Sequence, residues 1–454
     1  MRPSRRLVAL LVMALSIWPA LHGCAGAGHR HPTAAAAVPL NDSDPAPRGS
    51  SMPTGPTSKT VSTPSSKPDS AKPDLAPESP YINIDQIPEG KIVHIPTGVA
   101  VSKEQLIDLI APARVIYVGE VHDNLEDHRV QLEILKALSE RFPGKIAVGM
   151  EMFRRPAQPQ LDLWVEGKLG EKEFRKLWIE NWGIELGYYQ ALLDFIKEKK
   201  IPLIALNASQ DMEVKVSMKG IDHLSPEDQK AIPQIDRNDP YHRQALEAIF
   251  KGHGTGQQRG EGFQPFYDTM LLWDETMADS VARTLSSPEG ADKKMVVFAG
   301  GFHVGYGFGI PRRAFRRLPE PYRIVIPNTQ AIPQEKRFLT EIKLPDLPLH
   351  LADFVWGVGY KEVDTPKKVR LGVQVEPFQA GVRIVEVTPN SPAEAAGIQN
   401  GDIVISFDNE EMQEPFDLTY AVGQKSPGDR VKVKLLREGK IIETEAIMKP
   451  SRHP

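Results

Sequence analysis

Cysteine is nearly absent: this chain of 454 residues has one. A single thiol excludes an intramolecular disulfide framework and any Cys-rich zinc or iron–sulfur site. Excess basic charge is missing as well. The 55 Lys and Arg are outweighed by 59 Asp and Glu, giving a formal net charge of −4, which argues against a nucleic-acid partner. The apolar run LVALLVMALSIWPAL at residues 7–21 is too short to span a bilayer, reaching about 22 Å as a helix against a hydrocarbon core of about 30 Å. The rest is near the globular average, with 41 % hydrophobic and 25 % charged residues. Most of the chain is therefore able to bury a core, and its length predicts two or three units.

Arg2, Arg5 and Arg6 precede the short apolar run, which reads as a signal peptide over residues 1–23. Leu21-His22-Gly23-Cys24 then resembles the lipobox of bacterial lipoproteins. That resemblance implies cleavage before Cys24, a lipid on its thiol and a membrane anchor. Ala25 stands where an inner-membrane retention Asp often sits, so the expected location is the cell envelope, at the outer membrane facing the periplasm. Residues 24–80 carry 11 of the 40 prolines, many Ser, Thr and Ala, and no aromatic or Ile. Such a segment buries too little apolar surface to offset the cost of ordering, and reads as a disordered tether.

The texture changes at residue 81. RVIYVGE (114–120), KIAVGMEM (145–152), IPLIALNA (201–208), KKMVVFAGG (293–301) and YRIVIP (322–327) are near-continuous apolar runs. Helical patterns such as 124–142, 188–199 and 264–285 separate them. Strands apolar on both faces predict a central, largely parallel or mixed sheet flanked by helices, an α/β domain over 81–344. In such sheets the ligand crevice lies beyond the carboxyl ends of the strands. Glu120, His122, Glu151, Asn207 and His303 all sit at such ends. The GxxH spacing occurs five times in the chain and is weak alone, but only His122 and His303 follow buried-strand patterns. Two Glu and two His suit a divalent metal such as Mn, Co or Zn with an open position for water, or direct Glu–His acid–base work. Pure binding, with His or Tyr on haem iron, is the third option.

GEVHDN (119–124), GMEMF (149–153), ALNAS (205–209), WDETMA (273–278) and AGGFHVGYG (299–307) together resemble the ChaN-like family. These are iron-regulated, haem-binding lipoproteins of the wider Tiki/TraB and erythromycin-esterase-like group. The resemblance covers residues 90–340 and implies haem as cofactor and a role in iron acquisition. A haem held between subunits would need a homodimer. In the Tiki branch, paired GxxH motifs and a Glu form a metalloprotease-like site, which here falls on His122, Glu151 and His303, with Glu120 beside them. A metal-dependent hydrolase or peptidase is therefore the alternative. Haem-binding members imply a Tyr as iron ligand, with Tyr306 the first candidate and Tyr188 or Tyr189 the next. Arg312, Arg313, Arg316 and Arg317 share a helix face; they either meet haem propionates or form a solvated basic face. Asp274 either faces the site or pairs within its helix, and His128 is expected at the surface.

Residues 345–368 show no clear periodicity and are expected to be a linker. Beyond it, Ser391-Pro392-Ala393-Glu394 is a capping box with Pro at the first helical position, and Gly397 ends the helix. The stretch 369–454 resembles a small, mainly-β PDZ domain of the circularly permuted type found in bacterial periplasmic proteases. The resemblance makes Arg370, Leu371, Gly372 and Val373 a carboxylate-binding loop, with the helix around Phe416–Val422 as the other wall. It implies that protein C-termini or extended peptides add as a strand at the sheet edge.

Overall fold

The computed structural model describes residues 83–253, 262–337, 344–345, 347–364, 369–379 and 381–450. The signal peptide, Cys24 and the tether lie outside them. Among the described residues no helix is long and apolar enough to cross a membrane.

A short antiparallel pair opens the described chain, β1 (Ile92–His94) and β2 (Val99–Val101), followed by α1 (Lys103–Ile110). Ser102 caps α1 in a capping box with Gln105. The apolar runs then alternate with helices. They give β3 (Val115–Glu120), α2 (Leu125–Arg141), β4 (Ile146–Arg154), α3 (Gln158–Val165), α4 (Glu171–Asn181), α5 (Gln190–Glu198) and β5 (Leu203–Asn207). There follow α6 (Gln210–Lys219), α7 (Pro226–Ala231), α8 (Pro240–His253), the long α9 (Phe263–Ser286), β6 (Lys294–Gly300), α10 (Gly301–Val304) and α11 (Ile310–Arg317). β7 (Tyr322–Thr329), α12 (Gln334–Arg337) and β8 (Phe354–Val358) complete the domain.

The eight strands form one mixed sheet in the order β2-β1-β8-β7-β3-β6-β4-β5. The five pairs from β8 to β5 are parallel, and β1 pairs antiparallel with β2 and β8. Period-2 alternation splits β3 between two cores. Val115 and Tyr117 join α6, α8, α9 and α11 on one face. Ile116 and Val118 join α1 to α5 on the other. β3 and β6 are neighbours, yet the chain leaves β3 for one face and β6 for the other, so the strand order switches between them. Their carboxyl ends therefore border the crevice that such a switch opens.

One expectation needs correction. Residues 354–358, placed in the linker, form β8, which is buried and parallel to β7. Its five residues follow two prolines and were too short for a periodic signal.

The remaining strands build a second domain: β9 (Val369–Arg370), β10 (Val373–Phe378), β11 (Gly381–Val387), β12 (Ile403–Phe407), β13 (Glu410–Glu411), β14 (Arg430–Arg437), β15 (Lys440–Ile447) and β16 (Lys449–Pro450). Their main sheet runs β10-β11-β12-β14-β15, with β13 on β12 and β9 paired to β16. The helices α13 (Pro392–Ala395) and α14 (Pro415–Gly423) close a separate core. Ser391 caps α13 through the Glu394 N–H at 3.2 Å. β10 is an edge strand, and α14 packs against β9 and β10.

Candidate functional site

Two imidazole–carboxylate pairs meet at the carboxyl ends of β3, β4 and β6. In the first, His122 Nδ1–H donates to Glu120 Oε1 at 2.7 Å. The Tyr189 hydroxyl donates to the same oxygen at 2.6 Å, and Gln131 Nε2 donates to Oε2 at 2.6 Å. His128 lies 3.7 Å from Glu120 and donates to the His122 carbonyl at 3.2 Å. Burial pushes the Glu120 carboxyl up, but the His128 and His122 rings and the hydrogen bonds it accepts hold it below its ordinary value. His122 is raised in turn: burial lowers it, and the Glu120 bond and charge more than offset this.

In the second pair, His303 Nδ1–H donates to Asp274 Oδ1 at 2.7 Å, and Nε2 lies 3.3 Å from Glu151 Oε1. Glu151 Oε2 accepts the Gly300 N–H at 2.6 Å. Burial opposes charge on both groups, yet the two facing carboxylates raise His303 to about 10, and the His303 charge leads in lowering Glu151 to about 2. His303 is thus an imidazolium between two carboxylates. Beyond Asp274, His242 Nε2 stands 3.5 Å from Oδ2, and neither atom has a hydrogen bond. Burial lowers His242 to about 4, so it stays neutral.

Gly300 separates the two pairs. A Cβ there would lie 3.0 Å from His122 Nε2 and 3.5 Å from Glu151 Oε2, so a side chain would force the pairs apart. Gly309 is equally restricted: its Cβ would fall 2.3 Å from the His303 carbonyl oxygen. Trp182, at the end of α4, stands edge-on to His122 with ring centroids 4.8 Å apart.

Beside α10 lies a small apolar cavity of about 30 Å³, walled by Leu246, Ile249, Phe302, Tyr306, Phe308 and Leu351 among others. Tyr306 occupies the left-handed region at φ 55° in the turn between α10 and α11.

The strand-end residues Glu120, His122, Glu151 and His303 come together; Asn207 instead bonds the Ala208 N–H. Among the described residues no group of three or more His, Cys, Asp or Glu is arranged to hold a metal ion. With both nitrogens facing carboxylates, His303 offers no lone pair to an ion in this arrangement. His128 is not at the surface but buried against Glu120. The α11 arginines are only in part a solvated face, with Arg312 and Arg316 at 40 % and 32 % side-chain exposure, and all four are engaged by carboxylates. Arg313 is fully buried, and Arg313, Arg316 and Arg317 converge on Glu275, while Arg312 pairs with Asp236. Asp274 faces the site. Gln131, Tyr189 and His242 escaped the strand-end reasoning because each lies on or beside a helix, and only packing brings them in.

Two stretches of the chain match family models. Residues 106–314 match the family model described as haem-binding uptake, Tiki superfamily, ChaN, and residues 369–447 match that of the PDZ domain. The chain carries a ChaN-family domain followed by a PDZ domain. A solved structure of cofacial haem binding to ChaN of Campylobacter jejuni is 18 % identical, with a TM-score of 0.45 over 58 % of this chain and 95 % of that one. The magnetosome formation protease MamE of Magnetospirillum gryphiswaldense is 32 % identical over 88 residues, 19 % of this chain and 11 % of that protein. The serine endoprotease DegS of Haemophilus influenzae is 33 % identical over 70 residues, 15 % of this chain and 21 % of its own. The chain therefore spans about a tenth of the length of the first of these relatives and about a fifth of the second's. The HtrA3 PDZ domain bound to a phage-derived ligand (FGRWV) is 23 % identical, covers 18 % of this chain and 86 % of that one, and has a TM-score of 0.17. The ChaN-family model ends at 314, inside α11, so β7 and β8 extend the sheet past the matched residues.

Proposed function

We propose that the ChaN-family domain binds haem as part of iron acquisition, tethered to the outer membrane by a lipid on Cys24, and that the PDZ domain captures extended chain ends. The family match over 106–314 carries the haem reading. The cavity beside α10 suits haem in its lining but, at about 30 Å³, not in its size, so the walls must part for a ring to enter. Its walls are apolar, as a macrocycle requires, and Tyr306 supplies a phenolic oxygen of the kind that holds haem iron. Bound haem would bring an iron centre; the chain's own part would be to lay apolar side chains against the ring and offer the Tyr306 oxygen. For the second domain, the support is an open β10 edge beside α14, with the Leu371 carbonyl accepting from Ala393 and the Gly372 carbonyl from Thr388 at 2.9 Å each. These bonds fix the loop 370–373. Haemin titration of the tether-free protein tests the first part. A saturable Soret shift is expected, and Tyr306→Phe should weaken binding by about tenfold, equivalent to about 1.4 kcal/mol. No saturable shift at micromolar haemin removes the haem reading.

A second reading, hydrolysis by general acid–base chemistry, is favoured by the His122 geometry. Glu120 fixes Nδ1, and Nε2 makes no hydrogen bond among the described residues. That is the arrangement of an oriented base. Hydrolysis of a fluorogenic peptide or ester panel that disappears in His122→Gln, with the fold intact by circular dichroism, would support it. An inactive wild type across the panel would remove it.

A further inference from the structure

Two connections lead from the PDZ domain to the residues around His122. The first is α4. Lys172 Nζ lies 2.6 Å from Asp417 Oδ1, and Lys176 Nζ donates to both Glu414 oxygens at 2.6 and 2.7 Å. Lys172 also stands 5.9 Å over the Tyr420 ring. Asp417 itself closes the N-terminus of α14 by accepting the Gln413 and Glu414 N–H groups at 2.8 and 2.9 Å. The lysines thus hold the residue that caps the groove helix. About 15 Å along the helix, α4 ends at Trp182, which packs edge-on to His122. On the same helix, Trp178 packs 4.9 Å from Tyr189, the hydroxyl donor to Glu120.

The second connection is the chain segment that leads to the PDZ domain. Asn124 Nδ2 donates to the Gly359 carbonyl at 3.0 Å, and the Lys361 N–H donates to Asn124 Oδ1 at 2.9 Å. Lys336 Nζ bridges Asp123 and Glu362 at 2.7 and 2.6 Å. Asp123 and Asn124 directly follow His122. The first route therefore ends on the His122 ring and the second on the two residues that follow it in the chain.

We propose that α4 and residues 359–364 couple the PDZ groove to His122, so that a chain end bound along β10 and α14 repositions that ring. The proposal rests on the PDZ domain binding chain ends. A strand added to β10 lies against α14, whose first turn the two lysines restrain. Lys176 and Glu414 are 35 % and 44 % exposed, and partly solvated pairs of this kind exchange at small cost. The first turn of α14 therefore has two arrangements, latched to α4 and released. A ligand that favours one of them shifts the position of α4, and with it the Trp182–His122 contact. By linkage, a change at His122 alters peptide affinity by the same factor.

The test uses the intact chain with ¹³C-labelled histidine and the pentapeptide FGRWV. In wild type at fixed pH, saturating peptide should move the His122 ring resonance beyond its linewidth and leave that of His94, on β1, in place. In Lys172→Ala/Lys176→Ala the peptide should still bind by fluorescence anisotropy, and the response should fall to half or less. Peptide that binds wild type without moving His122 overturns the coupling. If the peptide fails to bind, the chain-end reading fails separately. The double variant then decides the coupling without ligand: release of the latch must itself move His122, and an unmoved resonance overturns the proposal.

Discussion

Glu275→Ala is expected to destabilise the ChaN-family domain by about 3–5 kcal/mol, the usual cost of removing one partner of a buried ion pair. Glu275 is fully buried on α9. Arg313 Nε stands 3.2 Å from it as an ion pair without a hydrogen bond, Arg316 Nη2 donates at 3.1 Å, Arg317 Nη1 lies at 2.6 Å and the Asp236 N–H donates at 2.8 Å. Arg313 has no exposure, so its guanidinium has no water to turn to. Deleting the carboxylate strands it between α9 and α11. In thermal unfolding the loss should read as about 2–4 °C per kcal/mol for a domain of this size. The double change Glu275→Met/Arg313→Met should lose less than Glu275→Ala, because no charge is left behind. A Glu275→Ala midpoint within 2 °C of wild type, on the order of 1 kcal/mol or less, would show that Arg313 finds other support.

Stability is also expected to peak near pH 6.5 and fall on both sides. His303 is raised to about 10 in the fold. Its contribution is whole below its unfolded value of 6.5 and is lost as pH climbs towards 10. His242, lowered to about 4, acts on the acid side. Between pH 6.5 and 4 the unfolded chain takes up a proton that the folded one refuses. Glu151, lowered to about 2, adds a loss as pH falls below 4.5. Each limb has a slope of up to about 1.4 kcal/mol per pH unit for one proton. Urea unfolding at intervals from pH 4 to 9.5 measures it. A flat profile between pH 6.5 and 9 would mean that His303 is not charged, and the Asp274–His303–Glu151 arrangement would need another description.

The strand-end rule found Glu120, His122, Glu151 and His303 because it depends only on where apolar runs stop, which is visible in the sequence. It could not find Gln131, Tyr189 or His242. They reach the same centre from three separate helical regions, and nothing in their local sequence points inward. The α11 arginines show the opposite failure. Their spacing gave a basic face correctly, but the carboxylate they surround is about 40 residues away on α9, so the face read as solvated. β8 was missed for want of length, and β1 and β2 likewise have three residues each. At Ser391 the N-cap formed as read, since a cap is settled within four residues, but the box did not close: Glu394 accepts the Asn390 N–H, not that of Ser391.

The unpaired side of β10 has a consequence for handling the protein. An edge that can admit one extended chain can admit a strand of a second molecule, and growth by that route ends in aggregates. β10 carries two features that oppose this. Pro377 lacks the N–H that a new neighbour would need, and both it and Glu376 are exposed. Replacing Pro377 by Val would leave a longer, flatter and more apolar border. Such a protein should lose solubility on concentration well before it loses its fold, so this proline is the residue to preserve when the domain is shortened or redesigned.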